Sequence, residues 1–170
     1  SYEKRIDLLL KIVKSLKQDY PKILVGIAGK GPEEDNLKKL ITTLGLVDNV
    51  KLLGYVDDLT EFYNSGKIFL LTSETEGLPR TILESMACQT PTICSNVGDV
   101  SDAIIDSDNS FLIDEFDNVE SYCDKIKILI DDKDKYSQIS NSTRDYVKKH
   151  YSHSNAKEVW SSILENLDVR

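Results

Sequence analysis

The chain has 170 residues, 40% of them apolar, which suffices for one sizeable core and makes a single α/β domain the default. Its net charge of -8 is regional: residues 99–134 hold three basic against twelve acidic side chains, whereas residues 1–40 hold nine against six. An acidic domain excludes nucleic acid and an anionic bilayer as partners, since both need cationic surface, while the basic balance of the first forty residues leaves room for a small anionic ligand.

The chain opens inside a helical pattern, with Ile6, Leu9, Leu10, Val13 and Leu16 as its apolar stripe and Pro21 as its end. KILVGIAG, Lys22 to Gly29, reads as a strand running into the GKGP turn. Pro32 stands where a first helical position should be, ahead of Glu33, Glu34 and Asp35 in a dipole-favoured first turn. Leu37, Leu40, Ile41 and Leu44 supply that helix's buried face and Gly45 stops it. VKLLGYV, Val50 to Val56, is the next strand, and Asp57 or Asp58 caps a short helix bearing Leu59, Phe62 and Tyr63.

KIFLLT, Lys67 to Thr72, is then a buried strand, followed by a Gly/Pro loop, an amphipathic helix and a second short strand opened by Pro91. That order makes a βαβ unit with the expected right-handed crossover. DVSDAII is a short helix, SFLI from Ser110 to Ile113 a strand, and NVESYCDKIKILIDD a helix with Val119, Tyr122, Cys123, Ile126, Leu129 and Ile130 inward. Two further helices run from Lys135 to about Tyr151 and from Ser154 to about Leu167. Five or so strands alternating with helices predict a parallel, doubly wound sheet. A strand would normally precede the first helix of such a domain, so the chain reads as a piece of something longer. Val159, Trp160, Ile163, Leu164 and Leu167 give the last helix a broad apolar face, either packed on the chain's own sheet or built to meet another domain.

No apolar run approaches a membrane span and the first twenty residues carry charges at helical spacing, so cytoplasmic residence is expected. Cys88, Cys94 and Cys123 lack metal-ligand spacing and read as buried, reduced thiols. His150 and His153 have no acid or nucleophile near them in sequence, and Ser73, Ser85 and Ser95 lack a nucleophile-elbow context, so neither a triad nor a metal site is supported.

The chemistry concentrates in SETEGLPRTILESMACQTPTI, Ser73 to Ile93, which carries Glu76 in the loop and Glu84 about one turn inside the helix. A carboxylate accepts hydrogen bonds from vicinal hydroxyls, so each suits a ribose diol or a hexose, and ligands of open α/β sheets collect at the carboxyl ends of strands. The helix start at Pro79 to Ile82 lies between them, where free backbone N–H groups favour a phosphate. Glutamates at a helix start also serve as caps or solvated charge, and spacing alone leaves that reading open. The glycines of GKGP, Gly29 and Gly31, permit close approach to a phosphate but are equally ordinary β-to-α punctuation. Lys4 and Arg5, on an exposed helix end, read as solvated charge when taken unaided.

Together these residues carry a resemblance. SETEGLPRTILESMACQTPTICSNVG resembles the signature of retaining glycosyltransferases of the GT-B fold, specifically glycosyltransferase family 4. In that family two glutamates eight apart flank a Gly-hydrophobic-Pro loop. YEKR resembles the family's lysine-bearing first helix, AGKGPEEDNLKKL its Gly-x-Gly-Pro turn, VKLLGYVDDLTEFYNSGKIFLLTS the approach to the signature, and AIIDSDNSFLI the strand that follows. The resemblance implies a Rossmann-like, doubly wound GT-B C-terminal domain that lacks its first strand. It implies that residues 1–170 bind the donor, a UDP-sugar or GDP-sugar, and that a missing N-terminal domain binds the acceptor. Any membrane contact would come only through that missing half.

By the same resemblance Glu76 binds hydroxyls of the transferred sugar, Lys4 the diphosphate, and Glu84 the ribose diol. The backbone from Gly77 through Leu78, Pro79 and Arg80 to Thr81 faces diphosphate and sugar, with Gly29 and Gly31 in the neighbouring turn. Tyr55 and Val56, after Gly54, line the base pocket. No metal or other cofactor is implied. Gln89 and Ser110 stand where the family often has glycine, Arg5 where glycine commonly follows the lysine, and Asp102 where glutamate is usual, so local turn geometry and sugar choice depart from the pattern. The expected function is the donor-binding half of a retaining hexosyltransferase acting on a glycan or lipid-linked acceptor and inactive alone. The alternatives are a non-catalytic nucleotide-binding or interaction domain, and another GT-B enzyme such as a sugar-nucleotide epimerase.

Overall fold

The strands form two parallel sheets rather than one, and the division between them shapes the face on which the candidate residues lie. The computed structural model describes residues 2–168, with side chains through Glu165. After a 3-10 turn at Tyr2–Lys4, the order is α1 (Ile6–Leu16), β1 (Val25–Ala28), α2 (Glu34–Thr43), β2 (Val50–Gly54), α3 (Leu59–Ser65), β3 (Phe69–Leu71), α4 (Arg80–Ala87), β4 (Thr92–Ser95), β5 (Phe111–Ile113), α5 (Val119–Asp131), α6 (Lys133–His150) and α7 (His153–Asp168). Among the described residues the strands pair only in parallel, β1 with β2 in one sheet and β3-β4-β5 in the other, with a single antiparallel bridge, Gly29 to Gly54, at the ends of β1 and β2. This is the expected α/β, Rossmann-like alternation, with the predicted single sheet in two pieces.

Helix α1 joins the pieces. Leu8, Ile12 and Leu16 pack with Ile93, Phe111 and Ile126 of the larger sheet and α5, whereas Leu10 and Val13 pack with Ile41, Leu46 and Val50 beside the smaller one. Each of these fully buried aliphatic side chains contributes about 1.5–3 kcal/mol, so one eleven-residue helix clamps both halves. Between the sheets runs a slot of about 900 Å³, lined by every residue of β1 and β3 and floored by Leu9 and Val13 of α1. Among the described residues β1 and β3 are each paired on one edge only.

Strand and helix ends differ from expectation for identifiable reasons. The strand predicted from Lys22 begins at Val25, because the Asn49 side-chain amide donates to the carbonyls of Pro21 (3.1 Å) and Ile23 (2.8 Å) and holds that stretch off the ladder. The strand predicted through Val56 ends at Gly54, whose φ of 67° turns the chain out. The opening helix is interrupted at Arg5, φ 46°, and stops at Leu16 rather than at Pro21, Gln18 and Asp19 closing tighter turns. Such tightening is expected where a following proline disfavours α-helix in its predecessor. DVSDAII forms only the 3-10 turn Val100–Asp102, since Asn109 takes over the Ile105 amide and the Ala103 carbonyl. Pro32 precedes the cap Glu33 instead of opening α2, and of the two aspartates it is Asp58 that caps α3, accepting from the Glu61 amide at 2.8 Å.

The apolar face of α7 does not pack on the chain's own sheet. Val159, Trp160, Ile163 and Leu164 are exposed, Trp160 at 64%; the side chain of Leu167 lies outside the described residues.

Candidate functional site

Two short stretches far apart in sequence meet at the carboxyl end of β3. The Thr72 hydroxyl lies 3.0 and 3.1 Å from the carbonyl oxygens of Lys4 and Arg5 and donates to that pair, and the Glu74 amide donates to the Glu3 carbonyl at 2.9 Å. These bonds fasten the turn at residues 2–5 onto the loop that follows β3. Arg5 sits in the left-handed region at a cost of about 1–2 kcal/mol for a non-glycine residue. Its side chain compensates: it pairs with Asp7 (3.1 Å), reaches Glu74 (3.8 Å) and stacks over Phe116. The Asp7 hydrogen bond raises the guanidinium pKa further. Burial works to raise the Asp7 carboxyl, but the Arg5 hydrogen bond and charge leave it below its usual value.

The consequence is that Lys4 Nζ reaches Glu76 Oε1 at 2.6 Å. The Glu76 side chain is only 11% exposed and that of Lys4 47%. An ammonium has three donors and a carboxylate several acceptor positions, so the pair still presents two N–H donors toward an anion and an open oxygen toward hydroxyls.

The loop holding Glu76 is shaped from behind by Gly98, which the sequence reading did not single out. A Cβ at Gly98 would lie 2.0 Å from the Glu76 carbonyl oxygen, its φ is 57°, and the next amide, Asp99, donates to the Gly77 carbonyl. Only glycine permits that approach. Below the loop, the Ser95 hydroxyl donates to the Ser73 carbonyl, tying the ends of β3 and β4 together.

Helix α4 begins next. Pro79 is its N-cap, with φ −71°, and supplies no side-chain acceptor, so the first-turn amides of Arg80 and Thr81 carry the positive end of the helix toward the loop of Gly77 and Leu78. Gly77 itself has open space where a Cβ would be. Glu84 follows one turn in, a third exposed, with Oε2 accepting from the Tyr63 hydroxyl at 3.1 Å and Oε1 3.7 Å from the Arg80 guanidinium.

The remaining candidates form a second group across the slot. Gly29, φ 114°, donates its amide to the Gly54 carbonyl at 2.6 Å and so joins the turns after β1 and β2. Gly31 is exposed, Tyr55 73% exposed and Val56 half-buried. Lys4, Thr81, Gly29, Tyr55 and Val56 all line the one slot. Among the described residues no hydrogen bond or ion pair joins the two groups, so the structure brings Lys4 and Glu76 into contact and sets Lys4, Thr81, Gly29, Tyr55 and Val56 around one opening, whereas Glu84, Gly31 and the stretch from Gly77 to Arg80 do not line it.

Other reactive side chains are occupied structurally. Cys94 and Cys123 are buried and Cys88 partly so, all three free, and burial pushes each thiol above its ordinary range. The His150 ring rests on Tyr146 at 4.5 Å. Among the described residues no group of three His, Cys, Asp or Glu is arranged to hold a metal ion.

An open parallel α/β fold with a helix N-terminus, a lysine and two glutamates collected at the carboxyl ends of its strands is of the nucleotide-binding, Rossmann-like class. The comparisons are more specific. The profile of the family described as Glycosyl transferases group 1 matches residues 1–146, and the chain belongs to that family. A protein of Haemophilus influenzae described as an uncharacterized glycosyltransferase is 33% identical over 95% of this chain and 45% of its own length. A variant of Staphylococcus aureus TarM, solved with fondaparinux, α-GlcNAc-glycerol and UDP, superposes with a TM-score of 0.86 at 27% identity, over 94% of this chain and 32% of that one. The C-terminal domain of a group 1 glycosyl transferase, LpcC of Francisella tularensis, has the same fold, with a TM-score of 0.79 at 22% identity over 90% of this chain and 82% of that domain. The fold is thus that of a GT-B glycosyltransferase domain. The chain spans under half the length of the curated relatives it matches.

Proposed function

We propose that this chain is the nucleotide-sugar-binding half of a retaining hexosyltransferase that uses a UDP-sugar or GDP-sugar. The observation that carries the reading is the Lys4–Glu76 contact of 2.6 Å beside the uncapped start of α4, in a chain of this family. Lys4 and the amides of Arg80 and Thr81 offset the charge that develops on the leaving diphosphate, an electrostatic contribution that dominates many active sites. Glu76 accepts from hydroxyls of the transferred sugar and Glu84 from the ribose diol, while Tyr55 and Val56 face the base and the turn at Gly29 and Gly31 permits close approach of a phosphate. TarM was solved with UDP, which supports a nucleoside diphosphate here.

We place one further strand, running parallel, in the slot between β1 and β3, a reading supported by the single paired edge of each of those strands. Residues 2–5 are fastened at the carboxyl end of β3, so a strand ending there leads through α1 into β1 as a right-handed βαβ unit. An acceptor-binding domain completes the cleft, without which this half turns over nothing. The exposed face around Trp160 meets that domain, so Trp160 emission shifts to shorter wavelength in the full-length protein relative to residues 1–170. Among the described residues no helix is long and apolar enough to cross a membrane; we place the enzyme in the cytoplasm, with a glycan or lipid-linked acceptor.

The test is calorimetric titration of the full-length protein with UDP-, GDP- and the corresponding sugar nucleotides, with transferase assays alongside. Glu84→Ala weakens the nucleotide and Glu76→Gln abolishes transfer. Binding without transfer in the wild type identifies a non-catalytic nucleotide-binding domain, a changed sugar on the nucleotide identifies an epimerase, and no binding at millimolar ligand removes the reading altogether.

A further inference from the structure

The Glu84 carboxylate is held by a residue that is invisible as a functional one in the sequence. Glu84 stands on a surface turn of α4, a third exposed, where a glutamate would ordinarily sample several rotamers. Arg80 does not fix it, being 90% exposed and 3.7 Å away, the geometry of a screened surface pair. Tyr63 is the opposite kind of partner. It is 4% exposed, its ring meets Phe62 and Phe69 edge-on at centroid separations of 5.5 Å, and its carbonyl accepts from the buried Thr90 hydroxyl at 3.0 Å. Its hydroxyl donates to Glu84 Oε2 at 3.1 Å.

We propose that Tyr63 is the positioning residue of the nucleotide site, its rigid phenol holding Glu84 in the one rotamer that receives the ribose diol. The proposal rests on the reading of Glu84 as the ribose acceptor. A carboxylate oxygen that accepts one hydrogen bond retains a second lone pair, and Oε1 is left almost wholly for the ligand, so the tether orients the group without consuming its capacity. Burial, then the bond to Glu84, pushes the Tyr63 phenol well above its ordinary pKa, so the proton is present throughout the physiological range. Fixing the acceptor before the ligand arrives removes the ordering cost that an untethered glutamate incurs on binding.

The experiment compares UDP and GDP with their 2′,3′-dideoxy analogues by calorimetry on the full-length protein, as wild type, Tyr63→Phe, Glu84→Ala and the double variant. Tyr63→Phe keeps the ring and its packing and removes only the hydroxyl. It weakens the ribonucleotide about tenfold, leaves the dideoxy analogue unchanged, and adds nothing in the Glu84→Ala background. Unchanged ribonucleotide binding in Tyr63→Phe overturns the proposal, and so does equal weakening of both nucleotides, which marks a purely structural role. If Glu84→Ala retains the wild-type preference for ribo- over dideoxynucleotide, the ribose reading itself has failed and takes the proposal with it. If Glu84→Ala loses that preference while Tyr63→Phe keeps it, the ribose reading stands and Tyr63 alone is ruled out.

Discussion

The half of the molecule built on β3-β4-β5 and the half built on β1-β2 use the same βα alternation with different degrees of closure. Every residue of β4 is buried between helices, including Thr92 and Ser95, whose hydroxyls bond to Ser85 and to the Ser73 carbonyl. In β1 and β2 burial alternates, Val25 and Ile27 half-buried against Gly26 and Ala28 exposed, and apart from their partner strand they rest mainly on α1 and α2. Glu76 and Glu84 belong to the closed half, Gly29, Gly31, Tyr55 and Val56 to the open one. The sugar and ribose ends of the proposed site are therefore preformed, whereas the base end takes its position from whatever joins the two sheets.

The largest effect should come from breaking the closed half where its loop is most constrained. Gly98→Ala drives a methyl group into the Glu76 carbonyl at a positive φ, which no flexible side chain can relieve. The expected cost is about 3 kcal/mol or more, with loss of nucleotide binding. Denaturant titration measures it, and a midpoint equal to that of the wild type would show that the Glu76 loop does not depend on this approach.

Next in size is the difference between the halves themselves. In residues 1–170 the amides of β1 and β2 should exchange with deuterium roughly tenfold or more faster than those of β4, and in a longer protein in which the proposed strand fills the slot that gap should close. Equal protection of both sheets in residues 1–170 would mean that α1 alone makes the two halves one cooperative unit.

These two experiments also mark how far the sequence could be read. The stretch from Ser73 to Ile93 was legible because its signals are local: Pro79 and the apolar spacing of Ile82, Leu83 and Met86 place Glu84 one turn into a helix wherever the chain goes. The capping aspartate to within one residue, the glycine after α2 and the burial of Cys94 and Cys123, though not of Cys88, were legible on the same grounds. The split of the sheet was not, since edge pairing is decided by strands distant in sequence. Nor was Gly98, whose need for glycine arises from a carbonyl 22 residues upstream. Tyr63 reads as one more core aromatic beside Phe62 until its hydroxyl is seen to meet Glu84. Arg5 carries no glycine to announce its left-handed turn.

A smaller pair of effects sharpens the contrast at matched chemistry. Asp58 and Asn118 each cap a helix by accepting from the amide three residues on, at 2.8 and 3.1 Å, but α3 is a seven-residue helix at the slot, whereas α5, which also reaches the slot through Ile126 and Ile130, is anchored along thirteen residues by Tyr122, Cys123, Ile126 and Leu129 in the core of the closed half. Replacing either by alanine should cost about 1 kcal/mol. Asn118→Ala should lower the global unfolding free energy by that amount, whereas Asp58→Ala should show mainly as faster exchange in α3. Identical global shifts from both would again argue for a single cooperative unit.

The smallest effect tests whether the closed half imposes its turns on the side chains available. Gln89 follows α4 with φ 59°, while its carbonyl accepts from Ser140 and its side chain bonds to Asn141 and Arg144 of α6. Glycine here would relieve about 1 kcal/mol of left-handed strain, but would forfeit two exposed hydrogen bonds and enlarge the unfolded ensemble by a comparable amount. Gln89→Gly should therefore stay within about 1 kcal/mol of the wild type. Gln89→Ala loses the same bonds and keeps the strain but does not enlarge the unfolded ensemble, so it should lie below Gln89→Gly by less than about 1 kcal/mol in thermal or denaturant unfolding. The sign of that difference is the informative quantity: an alanine variant at least as stable as the glycine variant would mean that the turn relaxes when its side-chain bonds are cut, and that contacts to α6, not the packing of α4 on β4, hold the left-handed residue in place.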